Sequence, residues 1–267
     1  MKNFNKKTLI AVLAIVVILA IIAIAGKNSS MKSVANNFDL SLDKKNDEPL
    51  TDTTFALDTF ITVTIYHGGD ENVLKDSLDF IRKYEMVFSA TNPDAELYKL
   101  NHRGKGVMSV KASEDLAYLI DKALYYSKVS NGAFDITTQP LKELWDFNTD
   151  DPKLPSDESI KEALPKVDYT RVSVEGDTIN FTSDDTQIDL GAIAKGYIAD
   201  KTKEFLKSKG VDSAIINLGG NVLCIGKKPD GQNFTIGLQK PYADRNETVA
   251  LLTVDDESVV SSGVYER

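Results

Sequence analysis

One stretch, Ile188-Asp189-Leu190-Gly191-Ala192-Ile193-Ala194-Lys195-Gly196-Tyr197, concentrates residue types that can do chemistry. Asp189 leaves an apolar run, Gly191 permits a sharp reversal, and Ala192 onward is helix-compatible to about Ser208, with Gly210 as a left-handed stop. The spacing predicts the end of a strand, a tight turn and the first turns of a helix. Such a junction points backbone N–H groups and the positive helix end at one spot, which suits a phosphate. Lys195 adds a mobile positive charge, and Asp189 offers a carboxylate to a hydroxyl, a ring nitrogen or a metal. Taken alone, the pattern also describes an ordinary strand–helix corner with a surface lysine and a capping aspartate.

Three further stretches bear on the choice. Gly132-Ala133-Phe134-Asp135-Ile136-Thr137-Thr138 and the nearby Trp145 form a place for a planar ligand, although packing is the commoner task of an aromatic ring. Gly219-Gly220 either admits a ligand close to the backbone or only builds a turn. Asp58 interrupts an apolar run, as a functional loop, a bulge or a plain edge-strand aspartate would.

Elements to hold these residues follow from periodicity. Phe55–Tyr66 alternates as a strand, and Leu74, Leu78, Ile81, Tyr84 and Phe88 recur at helical spacing over about Asn72–Phe88. Ala95–Asn101 is a short helical segment, and Ser113 caps a helix whose buried face carries Leu116, Ile120, Ala123 and Leu124. Tyr169–Val174 and Thr178–Thr182 make a hairpin; Ser213–Leu218, Val222–Ile225, Phe234–Leu238 and Val249–Val254 read as further strands. Hairpin links dominate the second half, so the expected class is α+β with mostly antiparallel sheets and flanking helices.

The whole chain has 267 residues, 42% hydrophobic, and a formal net charge of −9. No basic stripe is available to neutralise phosphates along a nucleic acid, which excludes that partner class. Lys2, Lys6 and Lys7 precede an unbroken apolar run from Leu9 to Ala25, close to the roughly 18 residues that span a bilayer. The lysines place its front in the cytoplasm and the remainder on the extracytoplasmic side of the cell membrane. Ala23-Ile24-Ala25 also fits a signal-peptidase site, but the length of the run favours an anchor. The expected organisation is an anchor or signal segment over residues 1–25, a polar linker over 26–54 and one domain over 55–267. Cys224 is the only cysteine, so no intramolecular disulfide forms, and its apolar strand makes it a buried small hydrophobe.

The ordered motifs resemble the ApbE-like family, the FAD:protein FMN transferases also described as thiamine-biosynthesis lipoproteins. They are Ala56-Leu57-Asp58-Thr59, Phe88-Ser89 through Leu100-Asn101, Gly132-Ala133-Phe134-Asp135, Leu144-Trp145-Asp146-Phe147, Asp189 through Gly196, Asn217-Leu218-Gly219-Gly220-Asn221 and Ser261 through Arg267. The resemblance implies FAD as substrate, Mg²⁺, transfer of FMN to a threonine hydroxyl of an acceptor protein, and release of AMP. Carried over by position, it implies FAD contacts at Leu57, Ala133, Phe134, Asp135, Asp189 and Lys195. It also implies a Mg²⁺ contact from the Ala192 carbonyl, and catalytic roles for Asp189 and Lys195. Four departures stand out: Leu57 where many relatives have Met, Asp58 for a common Gly, Thr91 for a frequent Tyr, and no lipobox Cys. The family's later His-Ile-Leu-Asp-Pro segment has no counterpart, so the expectation is a chain incomplete at its C-terminus. The alternative expectation is an exported flavin-binding module that lacks transferase activity for want of that metal-ligand segment.

Overall fold

A computed structural model describes residues 48–145, 154–244 and 247–263. The apolar run at 9–25 lies outside the described residues, and among those described no helix is long and apolar enough to cross a membrane.

Two strands, β1 (Leu50–Ala56) and β2 (Thr59–His67), open the domain as an antiparallel hairpin. In β2 the inward side chains Ile61, Val63 and Ile65 are buried, and the residues between them face outward. That period of two is the pattern of a strand with one buried face. On the other face hydroxyls pair across the hairpin, Thr51 with Thr64 at 3.1 Å and Thr53 with Thr62 at 2.9 Å. The single strand expected over Phe55–Tyr66 is therefore two, and the first strand among the described residues starts at Leu50, inside the stretch expected to be linker. Only Leu57 and Asp58 bridge the strands, at φ 54° and 57°. This is the left-handed pair that a two-residue turn needs in order to match strand twist. Neither residue is Gly or Asn, so the usual turn signal is missing.

Helix α1 (Glu71–Phe88) is capped by Asp70, whose carboxylate accepts from the Val73 amide, and it buries Leu74, Leu78, Ile81, Tyr84 and Phe88. Next come α2 (Glu96–Asn101), β3 (Ser109–Lys111) and α3 (Glu114–Val129). Glu96 of α2 accepts from both the amide and the hydroxyl of Ser113, the cap of α3, and so ties two helix ends together. The one-turn α4 (Gln139–Lys142) and α5 (Asp157–Ala163) lead into the hairpin of β4 (Val172–Glu175) and β5 (Thr178–Phe181). Helix α6 (Ala194–Ser208) then returns the chain to β6 (Ser213–Leu218) and β7 (Asn221–Ile225). The last strands are β8 (Phe234–Gln239), β9 (Thr248–Val254) and β10 (Ser258–Val260).

Among the described residues the strands form three sheets, ordered β1-β2-β6-β7-β10, β3-β5-β4 and β8-β9, with every pairing antiparallel. The fold is α+β, as the pattern of links predicts. Helices α1 and α6 pack on each other and on the five-stranded sheet. An aromatic cluster joins the helices: Tyr197 meets Tyr84, Phe88 and Tyr118 edge-on or tilted, and Phe80 stacks on Phe205 at 4.9 Å. The Tyr197 hydroxyl donates to the Asp115 carboxylate. Burial first, then Asp115, pushes the Tyr197 phenol far above its ordinary value and the Tyr84 phenol up to about 12. Cys224 is fully buried beside Phe234 and Val254, and that burial pushes its thiol up to about 11.

Candidate functional site

The corner at 187–194 is held by side chains rather than by a strand ladder. Ile188 donates its amide to Asn101 Oδ1 and accepts from Asn101 Nδ2, both at 2.8 Å, so one buried amide does what a neighbouring strand would do. The Asp189 amide donates to the Ile136 carbonyl at 2.8 Å. The strand end expected over Gln187–Leu190 is thus extended backbone outside any sheet, because its partners are a side chain and a loop. Upstream, Arg103 lies 3.6 Å over the Phe181 ring and donates to the carbonyls of Ser183 and Thr186. Burial lowers the pKa of its guanidinium below the ordinary value, with Asp184 opposing.

After Leu190 the chain turns over Gly191–Ile193, and the helix starts at Ala194, two residues later than expected. The Leu190 carbonyl accepts from the amides of both Ile193 and Ala194. Ile193 occupies the cap position with no side-chain acceptor, and no acidic residue stands in the first turn. The end of α6 therefore keeps its positive character for something outside the helix. Asp189 Oδ1 accepts from the Gly191 amide at 2.8 Å, and Oδ2 takes the ammonium of Lys142. A cation on Asp189 is Lys142, a residue not singled out in the sequence; the two lie 47 positions apart. Lys195 stands in the first turn of α6, half-buried.

The aromatic loop packs beside this corner. Phe134 is half-buried against the main core, with its amide donating to Ser130 Oγ at 3.0 Å. Ala133 is exposed. Asp135 Oδ1 accepts from the amide and hydroxyl of Thr137, and Oδ2 from the Tyr169 amide at 3.0 Å. That carboxylate shapes the loop, and Thr137 continues the chain by accepting from the Asp168 amide at 2.7 Å. Trp145 is half-buried; Asp146 and Phe147 of its motif lie outside the described residues.

A second group meets the same helix end from the sheet side. Leu57 is half-buried against the core. Next to it, Thr59 presses on Gly219, where an added Cβ would sit 2.2 Å from Thr59 Oγ1. Gly219 and Gly220 have φ of +61° and +91°, so here glycine is required by geometry as well as by space. The Gly220 amide donates to Asn217 Oδ1 at 3.0 Å, and its carbonyl accepts from the Ser261 amide at 3.1 Å. Asn221 Nδ2 lies 3.9 Å from where a Cβ on Gly196 would stand. The first turn of α6 thereby joins two sets of motifs: the 133–142 and 189–192 set on one side, and the 57–59, 217–221 and 261 set on the other.

Chemically, this arrangement offers an open helix end, two lysines and a pinned carboxylate, which suits a polyanionic ligand. Ala192 is exposed in the turn. Among the described residues no three His, Cys, Asp or Glu side chains cluster to hold a metal. Mg²⁺ ordinarily takes only a few protein oxygens together with substrate phosphates, and a backbone carbonyl in an exposed turn fits that share. A cleft of about 570 Å³ opens elsewhere, between α3 and the β4–β5 hairpin, and shares no residue with this site. Its lining includes Glu114, Asp121 and Asp177 and no cation, so it disfavours a phosphate-bearing ligand.

The antiparallel α+β fold and the ordered motifs lead to one family. Residues 57–267 match the ApbE family, and the chain belongs to it. Among curated relatives, the FAD:protein FMN transferase of Klebsiella pneumoniae (strain 342) is 34% identical over 203 residues, covering 75% of this chain and 62% of the relative. That of Treponema pallidum (strain Nichols) is 31% identical over 209 residues, covering 73% and 58%. The chain thus spans about three fifths of the length of these relatives. Among solved structures, the ApbE protein of Thermotoga maritima superposes with a TM-score of 0.75 at 28% identity, over 82% of this chain and 72% of that one. The Vibrio cholerae flavin transferase ApbE, at 22% identity and a TM-score of 0.74, shares the fold.

Proposed function

We propose that this chain is an FAD:protein FMN transferase. It takes FAD at the corner ahead of α6 and passes FMN to a threonine hydroxyl of an exported acceptor protein. The observation that carries this reading is the convergence of separate motifs on that one helix end, in a chain whose relatives carry this activity by name. The hydroxyl oxygen attacks the FMN phosphorus, the phosphoanhydride bond breaks, AMP leaves, and the hydroxyl proton goes to solvent or to AMP. Such a transfer needs alignment and charge neutralisation more than a covalent nucleophile.

The residues divide that task. Leu57 and Phe134 offer apolar surface to the ring system, and Ala133 leaves room beside it. Asp135 keeps the loop in shape through Thr137 and Tyr169. The amides at the start of α6 and Lys195 face the phosphates. Asp189 already accepts from Gly191 and Lys142, so it orients the corner and the ligand rather than abstracting the proton. Mg²⁺ bound with the Ala192 carbonyl would neutralise pyrophosphate charge.

The test mixes the chain with FAD, Mg²⁺ and an acceptor protein. AMP release matched by flavinylated acceptor is expected, and absence of both FAD binding and AMP would refute the reading. FAD binding without Mg²⁺-dependent turnover would instead establish the second reading, an exported flavin-binding module. What favours that one is that, among the described residues, no three His, Cys, Asp or Glu side chains gather to hold Mg²⁺.

For location, we infer from the apolar run at 9–25 and the lysines before it a single membrane anchor with the domain on the extracytoplasmic face. Protease added outside intact cells is expected to remove the domain; full protection until lysis would contradict it.

A further inference from the structure

Helix α4 is a single turn, with Gln139 and Pro140 buried, so its backbone is fixed and Lys142 leaves from its last residue. The Lys142 ammonium reaches Asp189 Oδ2, on a side chain 13% exposed, while Lys142 itself is 48% exposed. An exposed ion pair is worth little, but removing a cation from a nearly buried carboxylate costs more, because the Gly191 amide offsets its charge only in part. That charge would stand two residues before the turn that leads into α6, where the proposed ligand brings its pyrophosphate.

We propose that Lys142 is a positioning residue for phosphate-bearing ligands, acting through Asp189; this rests on the FAD reading above. It has two effects. The ammonium cancels the carboxylate's repulsion toward phosphate, and it pins the carboxylate so that Oδ1 stays on the Gly191 amide at 2.8 Å. With Lys142 neutralised, the corner holds a fixed negative charge where it needs a positive one.

Two ligands separate this role from a merely structural one. FAD carries the pyrophosphate; riboflavin carries the same ring system and no phosphate. In the full chain, Lys142→Met is expected to weaken FAD binding by about tenfold, the scale of a charged hydrogen bond. Riboflavin binding should change by less than about twofold, because an uncharged ligand does not feel the carboxylate. The FAD deficit should shrink as salt is raised, since screening mutes the repulsion. Lys142→Arg, which keeps the charge, should bind FAD nearly as the unsubstituted chain does. Lys142→Gln carries the same expectation as the methionine variant and serves if that one misfolds. Equal losses for FAD and riboflavin, no loss at all, or an arginine variant as weak as the methionine one would overturn the proposal. Failure of the unsubstituted chain to bind FAD would refute the underlying reading and is seen separately.

Discussion

Tyr197 is the residue whose chemistry and packing are most tightly coupled. Its ring closes the cluster between α1, α3 and α6, and its hydroxyl donates to Asp115. Losing that proton would place a phenolate in a desolvated site beside a carboxylate, which is why its pKa is raised. The unfolded chain ionises tyrosine near pH 10, so stability is intact below that and falls as pH rises toward the folded value. For Tyr84 the window runs from the ordinary 10.0 to about 12, and Tyr197 extends it upward. Urea midpoints measured from pH 9 upward are expected to decline above about pH 10. Tyr197→Phe, with nothing to ionise, should decline less steeply; an identical slope would contradict this account. None of this could be read from the sequence, where Tyr197 closes a motif and Asp115 is a first-turn acid 82 positions away.

At the scale of elements, the β1–β2 hairpin and the Gly219-Gly220 turn lock against each other through Thr59. Gly219→Ala would drive a methyl into the Thr59 side chain and ask alanine to hold a positive φ. The expected loss is at least about 2 kcal/mol of unfolding free energy, from overpacking and backbone strain together. FAD affinity should fall with it, because Thr59 adjoins Leu57. Chemical denaturation and a flavin titration check the two parts. What was legible at this scale follows from periodicity. Helix α1 and strands β2, β5 and β6 have one buried face each, and their bounds in the structure lie within a residue or two of those the pattern implies, β2 excepted at its start. The β1–β2 turn was legible only as one of three readings of Asp58, since neither Leu57 nor Asp58 is the Gly or Asn that marks such a turn. The corner at 187–190 was not legible, since an asparagine amide imitating a strand leaves no periodic trace.

Across the whole molecule, the class of fold was readable from the succession of elements, and the candidate residues were readable from short motifs. Their assembly was not. Lys142 reaches Asp189 where the Asp189 amide is also hydrogen-bonded to the Ile136 carbonyl, with α4 alongside the corner. The net charge of −9 is general, yet the local balance differs from place to place. The cleft at α3 is lined by acids, while Lys142 and Lys195 stand at the corner that leads into α6.

The asparagine clasp on Ile188 has a kinetic side as well. In a β-ladder, a central strand residue opens together with its neighbours, as part of a larger cooperative unit. Here a single rotamer change of Asn101 would release both groups of Ile188 while β6 stays paired. Opening of the corner therefore depends on Asn101, a buried side chain, and is separable from opening of the sheet.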